Sequence, residues 1–231
     1  MRIAGIQKLS MVDYPGKMAC TVFLSGCNFR CPYCHNSSLV IPEPEQSYMT
    51  EEEVLKFLKK RQGLLDGVCI TGGEPLLQGD AIIPFIREIK NLGYAVKLDT
   101  NGTNPLLLKE LCESGLVDYV AMDIKSGKSD YAHVADCNPA LLSNIEASVE
   151  ILNAGHIPHE FRTTVVKGLH TADTFHEIGN WLPSDSLYFL QSYKESAQVI
   201  DKSFSSFSEE EMKKFLEITQ KYIPQTSLRG I

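Results

Sequence analysis

Short apolar runs rich in β-branched residues alternate with amphipathic stretches along most of this 231-residue chain. Such alternation is the pattern of βα units that assemble into a parallel sheet. Six runs read as strands: Ala19 to Leu24, Gly67 to Thr71, Tyr94 to Leu98, Asp118 to Ile124, Glu160 to Val166 and Leu187 to Leu190. Between them the apolar period lengthens to that of a helix. Thr50-Glu51-Glu52-Glu53 is a capping box ahead of Val54, Leu55 and Leu58, and Ser208-Glu209-Glu210-Glu211 repeats the device before Met212, Phe215 and Leu216. Asp80 is placed to cap a helix carrying Ile82, Ile83, Ile86 and Ile89, with Gly93 ending it in a left-handed conformation. Further helices are expected over Pro105 to Ser114, Pro139 to Ala154 and Ala172 to Trp181, while Phe175, Ile178 and Trp181 read as core. Gly5 to Gly16 reads as a hairpin-like start, and Ile41 to Ser47, with Pro42 and Pro44, as an extended connector.

Six βα units can close part of a barrel or lie open as a doubly wound sheet, and the polar residues distinguish the two. Four successive strands run into polar clusters: the cysteine run after the first, Gly72-Gly73-Glu74-Pro75, Asp99-Thr100-Asn101-Gly102, and Asp123-Ile124-Lys125. A barrel gathers chemistry at the carboxyl ends of many strands, whereas a doubly wound sheet concentrates it at one switch point. An α/β fold with a partial (β/α)6 barrel is therefore expected. It forms a single domain over 1–231, with a hairpin-like extension at 1–17, a barrel core at 18–195 and a C-terminal helix and tail at 196–231.

Composition narrows the partners. At 43% hydrophobic residues the chain can bury a full core, and a net charge of −7 argues against a nucleic-acid surface. No apolar run of about 18 residues marks a membrane span. Met1 to Ser10 lacks the apolar core of an export signal, so seven cysteines point to the cytoplasm rather than to a disulfide framework. A small molecule or a protein is the expected partner.

Three of those cysteines lie in one run, Cys27-Asn28-Phe29-Arg30-Cys31-Pro32-Tyr33-Cys34. Three thiolates can hold three corners of a four-iron cube and leave one iron open to another ligand. The alternative is a zinc knuckle closed by His35 or a distant cysteine, but no second Cys-x-x-Cys hook exists. Cys20 and Cys69 read as small buried hydrophobes, Cys112 and Cys137 have no partner spacing, and the histidines, including His133, His156, His159, His170 and His176, form no metal pair. Gly72-Gly73 after a buried strand allows close backbone approach to a ligand, or is simply a tight turn; Glu74 can face a buried cation or ammonium. Asp99 and Asp123, at neighbouring strand ends, repel unless a cation, Lys125 or a positively charged ligand separates them. Alternation places Arg162 with Thr164 on one face of its strand, where an inward guanidinium needs an anion such as Glu74 or a ligand carboxylate.

Cys27-x-x-x-Cys31-x-x-Cys34 with Tyr33, followed by Gly72-Gly73-Glu74-Pro75, resembles the radical S-adenosylmethionine superfamily across nearly the whole chain. Asp13-Tyr14-Pro15-Gly16, Cys34-His35-Asn36, Asp99-Thr100-Asn101-Gly102 and Asp123-Ile124-Lys125 are similar to the glycyl-radical-enzyme activases, in particular the longer anaerobic ribonucleotide reductase activating proteins and the pyruvate formate-lyase activase. The resemblance implies a partial (β/α)6 barrel and a 4Fe-4S cluster on Cys27, Cys31 and Cys34. S-adenosylmethionine would be held beside Tyr33, Gly72, Gly73, Glu74 and Arg162, with a monovalent cation at Asp99, Thr100, Asp123 and Lys125. It further implies reductive cleavage of S-adenosylmethionine to a 5'-deoxyadenosyl radical, a glycyl radical enzyme as substrate, most closely anaerobic ribonucleotide reductase, and flavodoxin or ferredoxin as electron donor. The alternatives are a formate-lyase-type activase and a small-molecule enzyme like the deazapurine synthases. After the sixth strand the chain reads Phe189-Leu190-Gln191-Ser192-Tyr193, without the histidine of the formate-lyase activase.

Overall fold

The computed structural model describes residues 1–42, 45–155, 157–196 and 198–231. Pro44, within the expected connector, and His156 lie outside them. Eight strands among the described residues join one sheet in chain order: β1 (Ile3–Ser10), β2 (Ala19–Leu24), β3 (Gly67–Gly72), β4 (Ala95–Thr100), β5 (Tyr119–Asp123), β6 (His159–Val165), β7 (Tyr188–Ser192) and β8 (Thr226–Arg229). Strands β2 to β7 pair in parallel and match the six apolar runs. They are the partial (β/α)6 barrel. The sheet continues at both edges, with β1 antiparallel to β2 and β8 parallel to β7. The amino-terminal hairpin thus uses a barrel strand as its second arm, and the segment read as helix and tail also supplies a strand.

Alternation within each strand explains the layering. Val22, Leu24, Val68, Ile70, Val96, Leu98, Val120, Met122, Phe161 and Val165 join one apolar core with residues of the flanking helices. Those helices are α2 (Glu51–Lys59), α3 (Ile82–Asn91), α4 (Pro105–Glu113), α6 (Leu142–Ala154), α7 (Ala172–Trp181) and α8 (Glu209–Gln220); α1 (Ser37–Val40) and α5 (Tyr131–Ala135) are short and lie in loops. Both predicted capping boxes form, on Thr50 and Ser208. Asp80 makes no capping hydrogen bond among the described residues: the 3-10 helix over Pro75–Ala81 is broken at Gly79 (φ 60, ψ −151), so helical backbone restarts there, ahead of Asp80 and α3. Gly93 does adopt φ +90, as a helix-ending glycine should.

The intervening strand residues face the lumen, and many of them are polar. At its amino end the lumen is plugged: Arg229 makes a two-pronged ion pair with Glu160 (2.8 and 2.9 Å) and stacks on Phe189, while Tyr119 donates to Glu160 (3.0 Å). Asp13-Tyr14-Pro15-Gly16 closes this end from below. Asp13 accepts from Thr21 Oγ1 (2.5 Å), the Tyr14 ring meets Tyr119, and Gly67 leaves room for Tyr14, whose ring carbon would stand 3.0 Å from an added Cβ. The opposite, carboxyl end is where the cysteines are.

Candidate active site

Every parallel strand from β2 to β7 contributes to a cavity of about 260 Å³ at the carboxyl end of the barrel. That is near the lower end of the ~300–1,000 Å³ typical of small-molecule sites. Cys27, Cys31, Tyr33 and Cys34 enter from the loop after β2, Gly72 and Gly73 from β3, Asp99 and Thr100 from β4, and Asp123 and Lys125 from β5 and its exit; Arg162 comes from β6. A larger cleft of about 880 Å³, at the other end of β5 and β6, holds none of these residues.

Backbone bonds set the spacing of the two loops that flank the cavity. The Gly73 N–H donates to the Leu24 carbonyl (2.9 Å) and the Glu74 N–H to that of Gly26 (2.8 Å), so the glycine turn is stitched to the start of the cysteine loop. Contact is too close for any side chain at Gly73: a Cβ there would lie 2.1 Å from the Gly26 carbonyl oxygen. Gly73→Ala is therefore expected to destabilise the fold by about 3 kcal/mol or more, in the upper range for overpacking. A wild-type denaturant midpoint in that variant would refute the close fit.

The thiols are buried or nearly so. Cys27 Sγ accepts from the Phe29 N–H (3.4 Å), and the Cys31 thiol donates to the Ala135 carbonyl (3.5 Å). Burial pushes the Cys27 thiol up to about 11 and that of Cys31 up to about 12. Metal ligation requires the thiolate, so loading these cysteines releases protons. No group of three or more His, Cys, Asp and Glu among the described residues converges closely enough for one metal ion. A cube has no need of convergence, because each thiolate takes a different iron. The Tyr33 hydroxyl is buried without a hydrogen-bond partner among the described residues, and Tyr33 lines the cavity. Buried polar groups are normally satisfied, so an orphan on a cavity-lining residue is consistent with a place for a ligand. The donor set thus fits a cluster with a bound organic ligand beside it.

Glu74 sits behind the cavity wall. Its carboxylate accepts from the Leu76 N–H (3.0 Å), Thr100 Oγ1 (2.8 Å) and the Asn101 N–H (2.6 Å), and among the described residues it forms no salt bridge. Burial pushes its carboxyl up to about 7, against the pull of those hydrogen bonds. Its visible task is to fix the β4 turn against the glycine turn. Asn101 extends the same network to Asn28 in the cysteine loop (2.9 Å).

Arg162 does face inward, but not toward Glu74. Its guanidinium bridges Asp99 Oδ2 (3.2 Å) and Asp123 Oδ1 (2.9 Å), resolving the repulsion of the two carboxylates. Lys125 adds a bond to Asp123 Oδ2 (3.0 Å). Burial alone would raise Asp123; Arg162 and Lys125 overcome it and hold the carboxyl down at about 2. Burial likewise opposes the charge on Lys125 and Arg162, yet Asp123 holds both higher than usual.

Several residues escaped the sequence reading. Lys97, only 1% exposed, ion-pairs with Asp99. A lysine two places before Asp99 in an otherwise apolar strand was the available signal. Cys69 is buried as expected, yet its thiol points to Asp99 (3.7 Å) across the lumen rather than into the apolar layer. His170 is a buried loop residue whose Nε2 meets the Lys125 carbonyl at 2.8 Å. Thr71, Thr164 and Gln191 also line the cavity.

A barrel whose strand ends gather three spaced cysteines, a Gly-Gly turn and paired charges defines a class, and the chain belongs to it: residues 21–182 match the model of the Radical SAM superfamily. A Methanocaldococcus jannaschii protein described as a glycyl-radical enzyme activating enzyme is 33% identical over 238 residues, covering 99% of this chain and 96% of that one. The pyruvate formate-lyase-activating enzyme of Clostridium pasteurianum is 34% identical over 133 residues, 56% of this chain and 54% of its own. Among solved structures, Streptococcus suis SuiB superimposes with a TM-score of 0.67 at 14% identity, over 91% of this chain and 48% of that chain. The structure of anSMEcpe with bound AdoMet superimposes at 0.60 and 20% identity, over 86% of this chain and 57% of that chain. These two share the fold, and the present chain spans about half their length. No helix among the described residues is long and apolar enough to cross a membrane.

Proposed function

We propose that this protein is a radical S-adenosylmethionine enzyme that installs a glycyl radical on a partner enzyme, with anaerobic ribonucleotide reductase as the first target and a formate-lyase-type enzyme as the second. The observation that carries the reading is the convergence of Cys27, Cys31 and Cys34 with six strand ends on one cavity. The match to an activating enzyme across 99% of the chain supports the protein substrate. When bound, a 4Fe-4S cluster and S-adenosylmethionine supply one-electron cleavage and hydrogen-atom abstraction.

The chain's own residues hold and orient. Cys27, Cys31 and Cys34 would ligate three irons. Gly72 and Gly73 present backbone to the ligand's amino-acid end, and Glu74 keeps that turn in place. Lys125 and Arg162 offer positive charge to a carboxylate, and Tyr33 offers its free hydroxyl and ring face to the nucleoside end. Tyr33 and Phe29 also exclude water from the site, being 4% and 2% exposed. We assign electron delivery to flavodoxin or ferredoxin and the location to the cytoplasm.

Anaerobic incubation with reductant, S-adenosylmethionine and each candidate partner is expected to give a glycyl-radical doublet by electron paramagnetic resonance. Cofactor cleavage that occurs only with a small metabolite would instead place the chain with enzymes like 7-carboxy-7-deazaguanine synthase, to which 40% of it is 36% identical in Hyperthermus butylicus.

A further inference from the structure

Asp99, Thr100, Asp123 and Lys125 are the positions that the family resemblance assigns to a monovalent cation. In this protein their polar atoms are already committed. Asp99 Oδ1 receives Lys97 Nζ and the Cys69 thiol (3.7 Å), and Oδ2 receives Arg162 Nη1 (3.2 Å) and Thr71 Oγ1 (3.3 Å). Four donors fill the roughly four lone-pair sites of a carboxylate. Thr100 Oγ1 donates to Glu74 (2.8 Å) and accepts from the Gly102 N–H (3.1 Å). Asp123 Oδ1 receives Nε and Nη2 of Arg162, each at 2.9 Å, and Oδ2 receives Lys125 (3.0 Å). A metal ion at this place would have to displace an ammonium or a guanidinium from its carboxylate, and would then stand among those same positive charges.

Lys97 accounts for the difference. It sits under Asp99, two residues toward the plugged end of the barrel, and at 1% exposure it cannot hydrate its ammonium. Burying an ammonium is costly unless a carboxylate is paired with it, and the Asp99 contact provides one. Three cations, Lys97, Lys125 and Arg162, therefore face two carboxylates, Asp99 and Asp123. The surplus is one positive charge, which matches the single carboxylate of an amino-acid ligand. An alkali-metal ion added among these five side chains would raise their surplus to two positive charges.

We propose that Lys97 is the resident cation of the cofactor site, a positioning residue whose ammonium orients Asp99 and supplies the charge that a monovalent metal ion would otherwise bring. The site then binds no alkali-metal ion. The proposal rests on the cofactor reading above for the identity of the ligand, and two measurements separate the failure of one from the failure of the other.

In the first, iron-loaded wild-type protein is titrated with S-adenosylmethionine in tetramethylammonium, sodium or potassium buffer at equal ionic strength. Affinity is expected to change by less than about twofold among the three, and a tightening of about tenfold with sodium or potassium would overturn the proposal. Lys97→Ala is expected to bind about tenfold more weakly in tetramethylammonium and to recover with sodium or potassium, which can enter the vacated space. Unchanged binding, or weakened binding that neither ion restores, would reduce Lys97 to a structural role. In the second, the thermal melting of cofactor-free protein is followed in the same three buffers. Lys97→Ala should melt higher with sodium or potassium than with tetramethylammonium, and wild type should not. This readout uses no cofactor, so it decides the role of Lys97 even if iron-loaded wild type binds no S-adenosylmethionine in any buffer, the result that would sink the cofactor reading alone. A Lys97→Ala chain that does not fold leaves the wild-type arms of both measurements to decide.

Discussion

Cys31→Ala is expected to yield protein without its cluster and without detectable cleavage of S-adenosylmethionine. Two thiolates cannot retain a four-iron cube that already has one open corner, so the effect is a loss of function rather than a slowing. Cys31 is 7% exposed with its thiol against the Ala135 carbonyl, and no other thiol among the described residues shares the cavity besides Cys27 and Cys34. Alanine there leaves a small void against the Ala135 carbonyl, and removing so few atoms costs stability of only about 1 kcal/mol. Iron content and denaturant unfolding together separate the two effects. The expected result is near-zero iron with a nearly normal midpoint, whereas full cofactor cleavage by the variant would refute the cluster assignment. Cys112→Ser, in the remote cleft, serves as the control and should keep wild-type iron.

Arg162→Met should produce the second largest effect, felt in both folding and cofactor affinity. Removing one member of a fully buried ion pair costs about 3–5 kcal/mol, because the partner charge is left uncompensated. Here Arg162 and Asp99 are 14% and 15% exposed but Asp123 is 32% exposed, so water relieves part of the penalty. A loss of about 2 kcal/mol follows from that discount. Iron content should persist, since among the described residues Arg162 bonds Asp99 and Asp123 and not Cys27, Cys31 or Cys34, while S-adenosylmethionine binding weakens. Loss of iron instead would make Arg162 a structural residue. The double variant Arg162→Met with Asp123→Asn should regain part of the stability, because the two residues share one interaction.

The acid limb of stability provides an independent check on Arg162. Asp123 is held at about 2 in the folded chain, below the ~3.9 of a free aspartate. A depressed carboxyl contributes stability that is present above its unfolded value and lost as pH falls toward the folded one. Wild type should therefore lose this contribution between about pH 4 and pH 2. In Arg162→Met the carboxyl returns toward its ordinary value, and that part of the acid slope should flatten.

Much of this molecule was legible from local pattern. Strands β2 to β7 each bury one face under helices, so β-branched residues at period two betrayed them. Cys27, Cys31 and Cys34 were legible because a cluster imposes its spacing on contiguous sequence. The edge strands were harder: β1 is largely half-buried or exposed, and β8 has only four residues. Asp80 has the chemistry of a cap, but helical backbone restarts at the Gly79 kink ahead of it, and its carboxylate takes no capping hydrogen bond among the described residues.

The ion pairs were hidden for a different reason. Glu74 and Arg162 both suggested an inward charge seeking a partner, and pairing them with each other was reasonable from one strand at a time. The sheet decided otherwise. Register sets Asp123 beside Arg162 and carries Asp99 into reach from the strand beyond, while Glu74, two residues past β3, turns outward onto Thr100 and Asn101. A lysine among apolar residues usually lies on the surface, and only the curvature of the partial barrel makes the Lys97 position interior.

By itself, then, the sequence determined the parallel α/β architecture, the three thiolates and the strand ends that surround them, since each depends on residues near one another in the chain. Tertiary structure alone decided which charge answers which. An ion pair depends on distance through space and on how far water is excluded, and here both are set by strand register and the curvature of the partial barrel, in which Lys97, Asp99, Asp123 and Arg162 meet from three different strands.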